Sequence, residues 1–141
     1  GYYFDFVDML KYFKRNQTPA TPAISLIRAL NQQLDDIFAE GLDARWARHI
    51  EMAKTVQAWA RKHWELFPSE AFLSNTVTTI RNTRGVSISD LNKELGKRGA
   101  MISNGYGKLK EQTFRIAHMG DLTVEDIRWV LGLINEILGL E

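Results

Sequence analysis

The chain has 141 residues, 45% of them apolar and 25% charged, which is enough to bury one ordinary core and unlike a disordered segment. Its 18 basic and 17 acidic residues leave a net charge of +1, so no overall field steers it toward nucleic acid or an anionic membrane. With no cysteine, disulfides, thiolate metal sites and cysteine nucleophiles are excluded. No apolar run reaches the roughly 20 residues that cross a bilayer.

The chain opens on Gly1 followed by Tyr2, Tyr3 and Phe4, which reads as part of a longer protein whose N-terminus lies upstream. From Asp5 to Arg15, Phe6, Met9, Leu10 and Phe13 recur at helical spacing and predict a short amphipathic helix. The segment from Gln17 to Pro22 cannot be helical throughout, because each proline pushes its predecessor toward extended geometry. Thr21 is the expected N-cap of the next helix, with Pro22 at its first position, where a missing N–H costs nothing. Leu26, Ile27, Leu30, Leu34, Ile37 and Phe38 form that helix's apolar stripe, and Gly41 marks a seam. Leu42 to His63 reads as a long surface helix with Trp46, Ile50, Ala53, Val56 and Ala60 on one side.

Beyond Pro68 the character changes. Thr76 to Ile80 is a β-branched run bounded by turn formers and predicts a strand. Ser87 with Asp90 resembles a cap, and Leu91 and Leu95 supply the apolar face of a helix ending around Gly96 to Gly99. Met101-Ile102 and Thr113 to Ala117 read as two further strands around the glycine-bearing loop Asn104 to Gly107. A final helix starts at Thr123, with Ile127, Val130, Leu131, Ile134, Ile137 and Leu138 repeating at three and four. The predicted fold class is α+β, a small, mainly antiparallel sheet with helices covering one face.

Arg115 stands out chemically. In an extended strand Thr113, Arg115 and Ala117 point to one face and Phe114 and Ile116 to the other, so the guanidinium leaves the face opposite two core anchors. A planar guanidinium can grip a carboxylate through two parallel hydrogen bonds, although a surface ion pair fits the same spacing. The loop Asn104 to Lys108 lacks the full phosphate-binding glycine patterns and reads first as a turn. Thr18 and Thr21 flank Pro19 beside a helix start, where hydroxyls could meet an anion or simply cap. His49, His63 and His118 are too scattered for a metal site, and no nucleophile elbow is present. Trp46, Trp59, Trp64 and Trp129 fall in helical patterns and read as packing residues, so nucleic acid is not an expected partner.

Taken together, Asn16 to Pro22, Glu40-Gly41-Leu42 leading into Arg45-Trp46 and Arg48-His49, Thr76 to Thr78, Gly105 to Gly107 and Phe114 to Gly120 resemble the C-terminal part of class V pyridoxal-phosphate (PLP) aminotransferases. These are the fold type I group with alanine–glyoxylate and serine–glyoxylate transaminases. The resemblance implies that residues 1–41 are the end of a PLP-binding large domain with a connecting helix, and 42–141 the small domain. It implies amino transfer between a small amino acid (alanine, serine or aspartate) and a 2-oxo acid such as glyoxylate or pyruvate, in a cytoplasmic homodimer. The cofactor lysine would lie upstream, so this segment alone would hold no PLP covalently and would be inactive without the large domain and the second subunit. Arg115 matches the arginine that binds the substrate carboxylate. Thr21 matches a threonine that reaches the partner subunit's PLP phosphate, Thr18 stands where relatives often have a tyrosine that also touches that phosphate, and Gly105 and Gly107 match a loop lining the active site. The competing expectation is a non-catalytic module that binds an anion or a protein.

Overall fold

The computed structural model describes residues 2–141, so Gly1, on which the expectation of an upstream segment partly rests, lies outside them. The chain divides into two compact units, one ending at Gly41 and the other running from Leu42 to Glu141.

The first unit contains helices α1 (Phe6–Phe13) and α2 (Ile24–Glu40). Asp5 caps α1, its carboxylate accepting the amides of Val7 and Asp8 at 3.0 and 3.1 Å. The start of α2 differs from expectation. Its N-cap is Ala23, which offers no side-chain hydrogen bond, and neither Thr21 nor Pro22 is helical. The amide of Ile24 turns back onto the carbonyl of Pro22 at 2.9 Å, so the chain leaves the proline segment through a tight turn and enters the helix two residues later than the Pro22 pattern suggests. Neither helix has a buried residue, and Phe6, Val7, Phe13, Leu26, Ile27, Leu30 and Phe38 are all more than half exposed.

The second unit is the α+β layer. Helix α3 (Leu42–His63) leads into strands β1 (Glu65–Leu66) and β2 (Val77–Arg81), followed by α4 (Ile88–Lys97), β3 (Ser103–Asn104), β4 (Thr113–Ala117) and α5 (Val124–Leu138). The sheet order is β1-β2-β4-β3 and every pairing is antiparallel. Ile80, Phe114 and Ile116 are buried on one face with Met52, Val56, Ile88, Leu91, Leu95, Ile127, Leu131 and Ile134. Trp64 meets Phe114 edge-on, with ring centroids 5.0 Å apart.

Two helix starts follow their sequence signals. Ser87 caps α4 by accepting the Asp90 amide, and Thr123 forms a reciprocal capping box with Asp126 at α5. Two expectations change. Helix α3 is no surface helix, for it buries Met52, Ala53, Val56, Gln57, Trp59, Ala60 and His63, while Trp46 is 59% exposed. The strand expected at Met101-Ile102 begins two residues later because the side-chain amide of Asn92 occupies both polar groups of Ile102, at 2.8 and 2.9 Å, in place of a neighbouring strand.

His118, fully buried just past β4, is satisfied as a neutral ring. Its Nδ1 donates to the Asn75 carbonyl at 3.2 Å and its Nε2 accepts from the Thr78 hydroxyl at 2.8 Å. Burial pushes its pKa below the ordinary histidine value, and His63 is lowered for the same first reason. A base with a depressed folded pKa leaves stability intact above the unfolded value of about 6.5 and erodes it as the pH falls toward the folded value. Chemical unfolding of the full-length protein at about pH 7.5 and 5.5 is therefore expected to show a loss on acidification. That loss should shrink, with His63's share remaining, in His118→Gln.

Candidate anion-binding site on strand β4

Arg115 sits in a row across the sheet, paired with Thr79 on β2 and Ser103 on β3, on the face opposite Phe114 and Ile116. Its Nη2 donates to the backbone carbonyl of Asn104 at 3.2 Å. The guanidinium carbon lies 4.4 Å from the centre of the Tyr106 ring, within the range of a cation–π contact. Nε is buried and has no hydrogen-bond partner, and among the described residues no carboxylate pairs with Arg115. The side chain is thus held by a π face and a neutral carbonyl, with one of its five donors engaged. Its positive charge is uncompensated in a half-buried setting, a condition that favours an anionic ligand.

The loop that presents Tyr106 is built by close backbone approach. A Cβ on Gly105 would stand 2.1 Å from the Leu109 carbonyl oxygen and 2.7 Å from Thr113 Oγ1, so no other residue fits there without moving backbone. Gly107 adopts φ +52°, the left-handed region open to glycine. The amides of Gly105, Leu109 and Lys110 bond to Thr113, Tyr106 and Gly107 carbonyls within the segment. With those donors engaged internally the loop is a turn, which supports the first reading of the glycines over a phosphate cradle.

A polar network anchors the loop to α4. Asn104 Oδ1 accepts the amides of Gly105 and Glu111 at 2.7 and 2.9 Å, and its Nδ2 donates to Glu111 at 2.6 Å. The Glu111 carboxylate also accepts the amides of Ile88 and Ser89 and the Ser89 hydroxyl at 2.6, 3.2 and 2.5 Å. The Ser89 hydroxyl first, then Asn104 and the two amides, hold its carboxyl below the usual range against the opposing effect of burial. At the other end of β4, Arg45 bonds Asp121 at 3.1 and 3.2 Å, and Arg48 donates to the Gly120 and Leu122 carbonyls, tying the start of α3 to the turn after the strand.

Thr18 and Thr21 belong to the first unit and are both exposed. The Thr18 hydroxyl donates to the Ala20 carbonyl at 2.6 Å and lines a cleft of about 270 Å³ with Tyr3, Asp5, Asp8, Met9 and Pro22. Thr21 stands three residues before α2, whose N-terminus no side chain caps. Among the described residues no His, Asp or Glu cluster suits a metal ion.

Sequence reasoning singled out Arg115, Gly105 and Gly107, which this unit brings together. It named Asn104 and Tyr106 only as members of the glycine loop, and it passed over Glu111. A tyrosine between two glycines near a lone strand arginine is a usable sign of a stacked lid. Glu111 gave none, because a glutamate at φ +62° is not foreseeable from composition.

No protein-family model matches the chain. It is 36% identical over 123 residues to an uncharacterised aminotransferase of Methanocaldococcus jannaschii, an alignment covering 85% of this chain and 32% of that protein. It is 32% identical to the serine–glyoxylate aminotransferase of Arabidopsis thaliana, over 96% of this chain and 35% of that protein. Its fold matches that of a subgroup IV aspartate aminotransferase from Thermus thermophilus with a TM-score of 0.79 and 26% identity, over 99% of this chain and 39% of the other. The chain thus spans about a third of the length of the curated relatives it matches.

Replacing Gly105 by alanine in the full-length protein is expected to cost about 1–3 kcal/mol of unfolding free energy, the usual range for forced overpacking. Unchanged stability in urea unfolding would mean that the Leu109 carbonyl yields freely.

Proposed function

We infer that this chain, homologous over most of its length to aminotransferases and spanning about a third of them, forms the part of a PLP-dependent transaminase that grips the carboxylate of its amino-acid substrate. The observation that carries this assignment is Arg115, half-buried, with its guanidinium carbon 4.4 Å from the Tyr106 ring centre and no carboxylate partner among the described residues. The finer assignment is a class V, fold type I enzyme, working as a cytoplasmic homodimer on a small amino acid and a 2-oxo acid. Glyoxylate is supported as acceptor by the name of the Arabidopsis relative.

Residues 1–41 would complete the large domain and 42–141 form the small one. The apolar helices of the first unit support this, because a row of phenylalanines and leucines without a core of its own calls for cover by further protein. Pyridoxal phosphate would supply the electron sink for removal of the substrate's α-proton, and its Schiff-base lysine lies outside this segment. The donor set here suits the group's phosphate in part. The exposed Thr21 hydroxyl beside the uncapped N-terminus of α2 fits an anion, whereas Thr18 has its proton engaged by Ala20.

In this role Arg115 fixes the substrate through two parallel hydrogen bonds and so restricts the orientation of its Cα–H bond. The Tyr106 ring lies against the guanidinium, and Gly105 and Gly107 allow the loop to fold that closely. In the full-length enzyme Arg115→Ala is expected to raise KM for the amino acid strongly, lowering kcat/KM by roughly 2–5 kcal/mol of transition-state binding. Arg115→Lys should recover little, since an ammonium lacks the planar fork. Wild-type kinetics in Arg115→Ala would end the assignment.

A further inference from the structure

Glu111 holds a backbone conformation, φ +62°, that costs a non-glycine residue free energy. Its carboxylate is nevertheless engaged four times, accepting from Ile88, Ser89 twice and Asn104. Its own carbonyl accepts from Asn82 Nδ2 at 2.7 Å, and its amide donates to Asn104 at 2.9 Å. Strain retained under so many bonds marks a residue whose placement is over-determined by its surroundings.

The network leads to one place. Asn104 holds Glu111 by both ends of its side-chain amide, and its backbone carbonyl is the only hydrogen-bond partner of the Arg115 guanidinium among the described residues. The same Asn104 side chain receives the Gly105 amide, which sets the next residue, Tyr106, over the guanidinium. A continuous path therefore runs from the N-terminus of α4 through Glu111 and Asn104 to both contacts that orient Arg115.

We propose that Glu111 is a positioning residue for carboxylate recognition, acting through Asn104 to set the guanidinium of Arg115, an inference that rests on Arg115 being the carboxylate anchor. Because the bond from Asn104 Nδ2 to the Glu111 carboxylate is charge-assisted, an amide in its place weakens it and must turn an N–H toward donors. Loosening Asn104 then tilts its carbonyl and the Tyr106 ring together, so both restraints on Arg115 relax at once.

The test uses the full-length holoenzyme with Glu111→Gln and Glu111→Gly. Glycine relieves the positive φ while removing the carboxylate, and the backbone bonds to Asn82 and Asn104 can persist. Both variants should raise KM for the amino acid on the order of tenfold, the scale seen when partners that orient metal ligands are lost. kcat should be far less affected, and KM for the carboxamide of the same amino acid should stay put. An equal rise for amino acid and carboxamide overturns the proposal, as does an unchanged KM in folded protein while Arg115→Ala still raises it. Should Arg115→Ala itself leave KM unchanged, the carboxylate assignment falls first. Failure of both Glu111 variants to fold would make Glu111 a purely structural residue and likewise overturn it.

Discussion

Phe114 and Ile116 are buried against the helical layer, and because side chains alternate along a strand, their burial forces Arg115 between them onto the open face of the sheet. A one-residue slip in the pairing of β4 with β2 would put the guanidinium into the core beside Ile80, so the apolar packing that stabilises the unit also fixes the polarity of its site. Register in turn is secured at both ends of β4. The Asn104 and Glu111 network clamps the loop before it, and Arg45 and Arg48 clamp the turn after it.

How Arg115 is held matters as much as where it points. Arg61 with Glu70 and Arg98 with Glu136 are exposed arginine–carboxylate pairs that spend their charge on a neighbour and contribute little to stability. An arginine paired in that way would have to break its partner's grip before binding substrate. Tyr106 and a backbone carbonyl restrain Arg115 without neutralising it, so orientation is fixed while the charge stays available for an incoming acid group. The same arrangement explains why the loop needs glycine at 105, since only direct backbone contact with Leu109 brings the tyrosine ring so low over the strand.

Much of the second unit was legible because its signals are local and strong. The two caps at Ser87 and Thr123, the three-and-four repeat of α5 and the alternation of β4 each depend on a few adjacent residues. What was hidden depended on distant partners. Helix α3 carries charges around the helix at its ends, which disguises a middle that the sheet and α5 bury. The onset of β3 is decided by Asn92, ten residues away. At the site, the arginine could be read from periodicity and its tyrosine from the two flanking glycines, but the glutamate support could not. Glu111 in particular runs against backbone preference and is explained only by the bonds it makes.

The two anion-binding features proposed here also differ in kind, and that difference bears on what each unit can do alone. Arg115 brings a full charge whose orientation is settled inside the second unit. Thr21 brings a hydroxyl and a helix N-terminus, a dipole equivalent to about half a charge. The nearby cleft carries the carboxylates of Asp5 and Asp8. A phosphate near a charge of −2 is poorly matched by such a set. If Thr21 serves the cofactor, cationic groups from outside the first unit must share the load, which is what a homologue spanning about a third of its relatives would require.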